Sequence, residues 1–234
     1  AEIQVYSHGD LIVKLTADWG DYRSGSLLAL ACEQGRLGRI QLLLPPDAQM
    51  QSLSASRNFL IVSCLEQVKT RLRIFHFDAH AWHEVSHDLP NSGVIELIDQ
   101  PWQSDRLYLS YSDFLTPATL YLYDLNRQEL TPLRQQAAAF DASPFVFAQY
   151  WTAASDGCAI PYFVVHARDI ACNGDNPCLL YGYGGFQVPM LPHYVDNFGP
   201  HWLAQGGVFV IANIRGGGEF GPAWHQAAQG QHRQ

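Results

Sequence analysis

The 234-residue chain is short of positive charge: 14 Lys and Arg stand against 22 Asp and Glu, a formal net charge of −8, and no basic run is present. Without a stripe of cations to replace the counter-ions of a phosphate backbone, nucleic acid is not an expected partner. No apolar stretch approaches the roughly 18 residues that suggest a membrane span, and Ala1-Glu2-Ile3-Gln4-Val5 lacks a charged-then-apolar leader pattern. Five cysteines, Cys32, Cys64, Cys158, Cys172 and Cys178, are odd in number and scattered. They indicate neither a disulfide framework nor a zinc knuckle, and read as free buried thiols. The last absence bears on chemistry: no serine has Gly both two positions before it and two after it, so the strained elbow that exposes a serine nucleophile is missing from these residues.

What is present falls into two styles. Up to about residue 139 the chain is a succession of strand-length apolar or alternating runs: 11–16, 26–32, 37–44, 59–66, 70–77, 106–111 and 119–125. Turn-forming clusters such as Pro45-Pro46-Asp47 separate many of them. This is an antiparallel β pattern. Sets of four strands at roughly 40 to 45 residues per set would make propeller blades, about three of them here, and a two-sheet sandwich fits the pattern equally well.

After Phe140 the style changes. Residues 146–153 and 160–166 flank Ser155-Asp156-Gly157 and predict a hairpin. Residues 177–181 read as a short apolar strand, 197–205 as a helix stopped by Gly206-Gly207, and 207–214 as a strand buried on both faces. A strand of that kind reached through a helix signals a parallel α/β sheet, with chemistry on the loops at its carboxyl ends.

Three constellations invite a functional reading. Gly216-Gly217-Gly218-Glu219-Phe220-Gly221 fits G-x-G-x-x-G, but no acidic residue follows Glu219 to hold a ribose, so a dinucleotide site is not expected. His76, His80, His83 and His87 would line one face of a helix, yet 74–77 alternates as a strand and 78–81 reads as a turn, so the imidazoles should diverge and no metal is expected. Leu179-Leu180-Tyr181-Gly182-Tyr183-Gly184-Gly185-Phe186 allows a tight backbone path and close approach by a ligand, with a phenolic donor and an apolar wall. A glycine-rich turn bearing two core aromatics is the plainer alternative.

These strings also carry a resemblance. Residues 114–121 and 123–125, then Ser155-Asp156-Gly157 with Ile160-Pro161-Tyr162-Phe163, then 180–186 and 212–221, in that order, are similar to the prolyl oligopeptidase family of serine peptidases. The resemblance implies a mixed fold: a seven-bladed β-propeller inserted in an α/β-hydrolase domain. Residues 1–139 would be its closing blades and 140–234 the first part of the catalytic domain. It implies peptide hydrolysis, with proline preceding the scissile bond. Tyr183 would be the side-chain donor of the oxyanion hole and Phe186 part of the pocket for that proline. Gly184, Gly185, Arg215, Gly216, Gly217, Gly218 and Glu219 would form the supporting loop, with Arg215 and Glu219 tying it through charge-assisted hydrogen bonds. None of His193, His201 and His225 matches the family's catalytic histidine. The serine elbow, acid and histidine are expected beyond Gln234, and the 234 residues alone are expected to be inactive and prone to aggregate through unpaired sheet edges. The resemblance further implies a monomer without cofactor or metal, acting on short peptides, and a cytoplasmic location is expected, with a periplasmic one as the alternative. The competing reading is a non-catalytic propeller-bearing binding protein that keeps the hydrolase framework.

Overall fold

The computed structural model describes residues 1–33, 36–99 and 103–230. Three four-stranded meanders come first: β1 (Glu2–Ser7), β2 (Asp10–Lys14), β3 (Leu27–Glu33) and β4 (Arg36–Leu44); then β5 (Gln49–Ala55), β6 (Phe59–Glu66), β7 (Lys69–Asp78) and β8 (Ala81–Val85); then β9 (Val94–Asp99), β10 (Arg106–Ser112), β11 (Thr119–Asp124) and β12 (Glu129–Gln135). Within each sheet sequential strands pair antiparallel and in order.

How these sheets stack decides between blade and sandwich, and β6 shows it. Seven of its eight residues are buried. Successive side chains of a strand point to opposite faces. Leu60, Val62 and Cys64 accordingly pack with Ile12, Leu27 and Leu44 of the first sheet, whereas Phe59 and Ile61 pack with Leu107 and Leu109 of the third. The middle sheet is therefore covered on both faces by four-stranded neighbours. A two-sheet sandwich cannot do that; consecutive propeller blades do. Each fully buried Leu or Val on this strand contributes about 1.5–3 kcal/mol by leaving water.

Polar clamps fix the blades laterally. Asp10, only 2% exposed, accepts from Trp82 Nε1 at 3.0 Å and from Arg39 at 2.7 Å, joining the first two sheets. Asp105 joins the second and third: Oδ1 accepts from Ser56 Oγ and the Asn58 amide, each at 2.9 Å, and Oδ2 from Asn58 Nδ2 at 2.6 Å and Asn126 Nδ2 at 3.2 Å.

The fourth sheet holds β13 (Phe145–Ala153), β14 (Ala159–Ala167), β15 (Cys178–Gly182) and β16 (Val208–Ala212) in the order β13-β14-β16-β15. The expected hairpin forms, its turn closed at Gly157 with φ +82°. The sheet is mixed, a correction to the parallel sheet expected: β14 runs antiparallel to β16, and only β15 and β16 are parallel. Nor is β16 buried on both faces. Phe209 and Ile211 are buried while Val208, Val210 and Ala212 are half-buried, because only one face meets the aromatic cluster of Phe114, Phe145 and Phe163.

The predicted helix over 197–205 is broken into α1 (Phe198–His201) and a 3-10 turn (Leu203–Gln205). Trp202 interrupts it at φ −125°, donating its indole N–H to Val208 O at 2.8 Å, and Gly206 in the left-handed region ends it. Five strands, β1, β5, β8, β9 and β12, escaped the pattern reading; β12, with one half-buried residue among exposed ones, shows why, since a strand facing water has no alternation to read.

The second blade and the fourth sheet meet at one unusual contact. The β6–β7 hairpin tip, Gln67 (φ +49°) and Val68 (φ +67°), turns through the left-handed region without glycine. Val68 is 0% exposed and lies in the cluster of Phe114, Phe145, Phe163 and Phe209. Gln149 Nε2 donates to Gln67 O at 2.8 Å across the same junction.

Candidate functional site

Two loops leave the parallel pair at the same end. The first follows β15 and carries Tyr183 to Met190; the second follows β16 and runs through the three glycines to α2 (Pro222–Gln226), which starts on a proline suited to a first helical turn. Glycine is required where the two press together. A Cβ on Gly184 would strike the Arg215 carbonyl oxygen, one on Gly216 would strike the Gly184 carbonyl oxygen, and one on Gly218 would strike the Gln187 carbonyl oxygen. Gly216 also sits at φ +100°, which side chains rarely adopt. The G-x-G-x-x-G run thus serves backbone-to-backbone packing of two loops.

Tyr183 is 36% exposed, and no hydrogen bond to its hydroxyl is found among the described residues. The ring folds back over Gly185, where a Cβ would lie 2.9 Å from the hydroxyl oxygen. The phenol is thereby presented at the surface with its donor unengaged. It is not a core aromatic. Phe186, at 88% exposed, faces solvent, so no enclosed pocket wall forms around it within these residues. Both Phe186 (φ +53°) and Gln187 (φ +58°) occupy the left-handed region. For residues with a side chain this costs about 1–2 kcal/mol each, and such strain concentrates at ligand-binding loops.

Arg215 and Glu219 on the second loop reach separate partners. Arg215 forms an ion pair with Asp156 in the β13–β14 turn, and this contact, chiefly its hydrogen bond, holds the Asp156 carboxyl below the usual carboxylate range. Glu219 is fully buried and accepts the Met190 amide at 2.9 Å through Oε1. Sequence reasoning missed Asn213, also fully buried, whose Nδ2 donates to Met190 O at 2.6 Å and to Glu219 Oε1 at 3.3 Å. A polar residue ending an apolar strand was the signal that could have marked it.

His225 is committed elsewhere. Gly216 O can only accept, so His225 Nδ1 carries the hydrogen of their 2.6 Å bond, and Nε2 accepts from Gln229 at 2.8 Å. His193 Nδ1 bonds Leu191 O at 3.1 Å. Of the four spaced histidines, His76 and His83 stand opposite each other on β7 and β8, contrary to the expected divergence, because the turn falls midway between them. His87 instead bonds Leu72 O. Among the described residues no group of three or more His, Cys, Asp or Glu side chains could hold a metal ion. Of the cysteines, only Cys64 is buried, where desolvation raises its pKa to about 11, while Cys172 and Cys178 are exposed, correcting the expectation of buried thiols throughout. No helix among these residues is long and apolar enough to cross a membrane.

A cleft of about 800 Å³ opens between the second blade and the second loop, lined by Asp47, Gln49, Glu66, Lys69, Phe220 and Pro222. Tyr183 and Phe186 lie outside it.

Stacked four-stranded blades, followed by a 1-2-4-3 sheet with glycine-rich loops at the carboxyl ends of its parallel strands, define the class: a propeller-bearing α/β-hydrolase fold. Residues 31–136 match the family described as "Prolyl oligopeptidase, N-terminal beta-propeller domain", and residues 194–234 match "Prolyl oligopeptidase family". The chain is 34% identical over 240 residues to an uncharacterised peptidase of Sinorhizobium fredii, covering 98% of this chain and 33% of that protein. It is 31% identical over 139 residues to the prolyl endopeptidase of Elizabethkingia meningoseptica, covering 59% of this chain and 20% of that protein. Among solved structures, a post-proline cleaving enzyme from Rickettsia typhi superposes with a TM-score of 0.80 at 29% identity, over 99% of this chain and 35% of that one. The chain belongs to the prolyl oligopeptidase family, a family of serine peptidases. It spans about a third or less of the length of these relatives.

Proposed function

We propose that the full-length protein carrying this chain is a serine peptidase that hydrolyses short peptides on the carboxyl side of proline, and that residues 140–234 open its catalytic domain while 1–139 belong to its propeller. One observation carries the reading: the Tyr183 phenol, exposed and unengaged, stands on the loop after β15. In α/β-hydrolases the loop after the third strand supplies one oxyanion donor, and an amide following the nucleophile supplies the other. Attack by a serine oxygen on the peptide carbonyl converts that carbonyl to an oxyanion, and a donor already aimed at it stabilises the transition state without reorganisation. Phe186 offers an uncharged aromatic surface suited to a proline ring, held out by its left-handed backbone. The relatives named prolyl endopeptidase and post-proline cleaving enzyme support the proline preference.

The test uses full-length protein, labelled with a serine-directed phosphonate and assayed on a proline-containing peptide. Tyr183→Phe is expected to lower kcat by a factor of about 10²–10³, equivalent to about 3–4 kcal/mol of transition-state stabilisation, with phosphonate labelling retained. Unchanged turnover would remove Tyr183 from the mechanism. Absence of both labelling and turnover in the wild type would refute the peptidase reading.

A further inference from the structure

We infer that Asn213 and Glu219 are positioning residues that set the specificity of the site by gripping both backbone groups of Met190; the assignment of what is positioned rests on the reading of Tyr183 and Phe186 above. Glu219 Oε1 accepts the Met190 N–H at 2.9 Å, Asn213 Nδ2 donates to the Met190 carbonyl at 2.6 Å, and a 3.3 Å bond between the two side chains closes the ring. Together they satisfy one loop residue as a neighbouring β-strand would.

Both side chains are fully buried, and Asn213 Oδ1 and Glu219 Oε2 find no hydrogen-bond partner among the described residues. Leaving polar atoms buried without partners is unfavourable, and an apolar pair filling the same space would avoid it. What this pair supplies and an apolar pair could not is a fixed backbone at Met190. That position lies three residues beyond Gln187, the second of two left-handed residues. Gly218 limits the other route of relaxation, since its backbone runs so close that a Cβ on it would strike the Gln187 carbonyl and meet Pro189. The left-handed pair Phe186–Gln187 is thus held from behind on two sides, and releasing Met190 lets the loop relax and the Phe186 ring leave its place.

The consequence separates from simple loss of stability. A structural defect lowers the active fraction equally for every substrate, whereas a displaced Phe186 changes the ratio of kcat/KM for a proline peptide to that for its alanine counterpart. In the full-length protein, Glu219→Ala is expected to lower that ratio about fivefold or more, and Glu219→Gln, which keeps an acceptor for the Met190 amide, to stay within about twofold of wild type. Amide hydrogen exchange over 183–190 is read in parallel and needs no activity. It is expected to quicken about tenfold or more in Glu219→Ala and not in Glu219→Gln.

Should Glu219→Ala fail to fold, Asn213→Ser, which shortens the side chain away from the Met190 carbonyl, is expected to give the same two signatures. An unchanged substrate ratio together with unchanged exchange in the folded variants overturns the proposal. If exchange quickens while wild type itself cleaves neither peptide, the grip stands and the peptidase reading falls; if wild type discriminates proline and the variants do so equally, the positioning role falls and the peptidase reading stands.

Discussion

Removing the Asp105 carboxylate should loosen the second blade from the third, by an amount the geometry bounds. Asp105 is 9% exposed and receives four hydrogen bonds, three of them from the β5–β6 turn of the neighbouring blade. Burial alone would raise its pKa, but the hydrogen bonds from Asn58, Ser56 and Asn126 outweigh it and hold the carboxyl below its ordinary value. A hydrogen bond to a charged group is worth about 1.5–3 kcal/mol net, and bonds within one cluster do not add. Asp105→Ala leaves several donors facing each other without an acceptor, which should cost about 3–4 kcal/mol. Asp105→Asn should cost about 1–2 kcal/mol, because one oxygen remains and the Asn58 amide can turn to accept from the new NH₂.

The pH dependence has a definite sign. A carboxyl whose folded pKa is depressed contributes fully above its unfolded value near about 3.9 and loses that contribution as pH falls through the folded value. The stability gap between wild type and Asp105→Ala, measured by urea unfolding followed by circular dichroism, should be constant around neutrality and close as pH drops below about 4. A gap under about 0.5 kcal/mol at neutral pH, or one that does not narrow in acid, would refute the assignment of Asp105 as an ionised inter-blade clamp.

Other substitutions test the junction and the loops. Val68→Ala should destabilise by about 2–3 kcal/mol, from two lost methyl groups and the cavity they leave. Val68→Gly should be no worse despite removing one carbon more, because glycine relieves about 1–2 kcal/mol of left-handed strain; unfolding curves placing Gly well below Ala would contradict that strain. Gly218→Ala should drive its methyl into the Gln187 carbonyl and, at a typical overpacking cost of about 1–3 kcal/mol, reduce proline-peptide turnover; wild-type kinetics and unchanged thermal stability would show the two loops to be less tightly packed than their contacts require.

Sequence reading located the site's strings but could say little of how they are held. The adjacent glycines of 184–185 and 216–218 marked positions where backbone must approach something closely, because only glycine permits it; that the two runs approach each other was visible only in the fold. Tyr183 was singled out by its neighbours, yet from the residues alone a phenol on a glycine loop reads more readily as packing, and only the fold shows that its ring is exposed. Asn213 went unnoticed because an amide at a strand end is common, and its grip on Met190 spans 23 residues of sequence.

By itself the amino-acid order determined the strand-rich first part, the β13–β14 turn and the family, since these rest on local turn chemistry, period-two burial and contiguous strings. The tertiary structure decided the rest. Which sheet covers each face of β6, the antiparallel pairing of β14 with β16, and the seating of Val68 among the aromatics of another sheet all depend on contacts between distant segments. Local pattern records that a residue is to be buried, and only the packed chain determines against what.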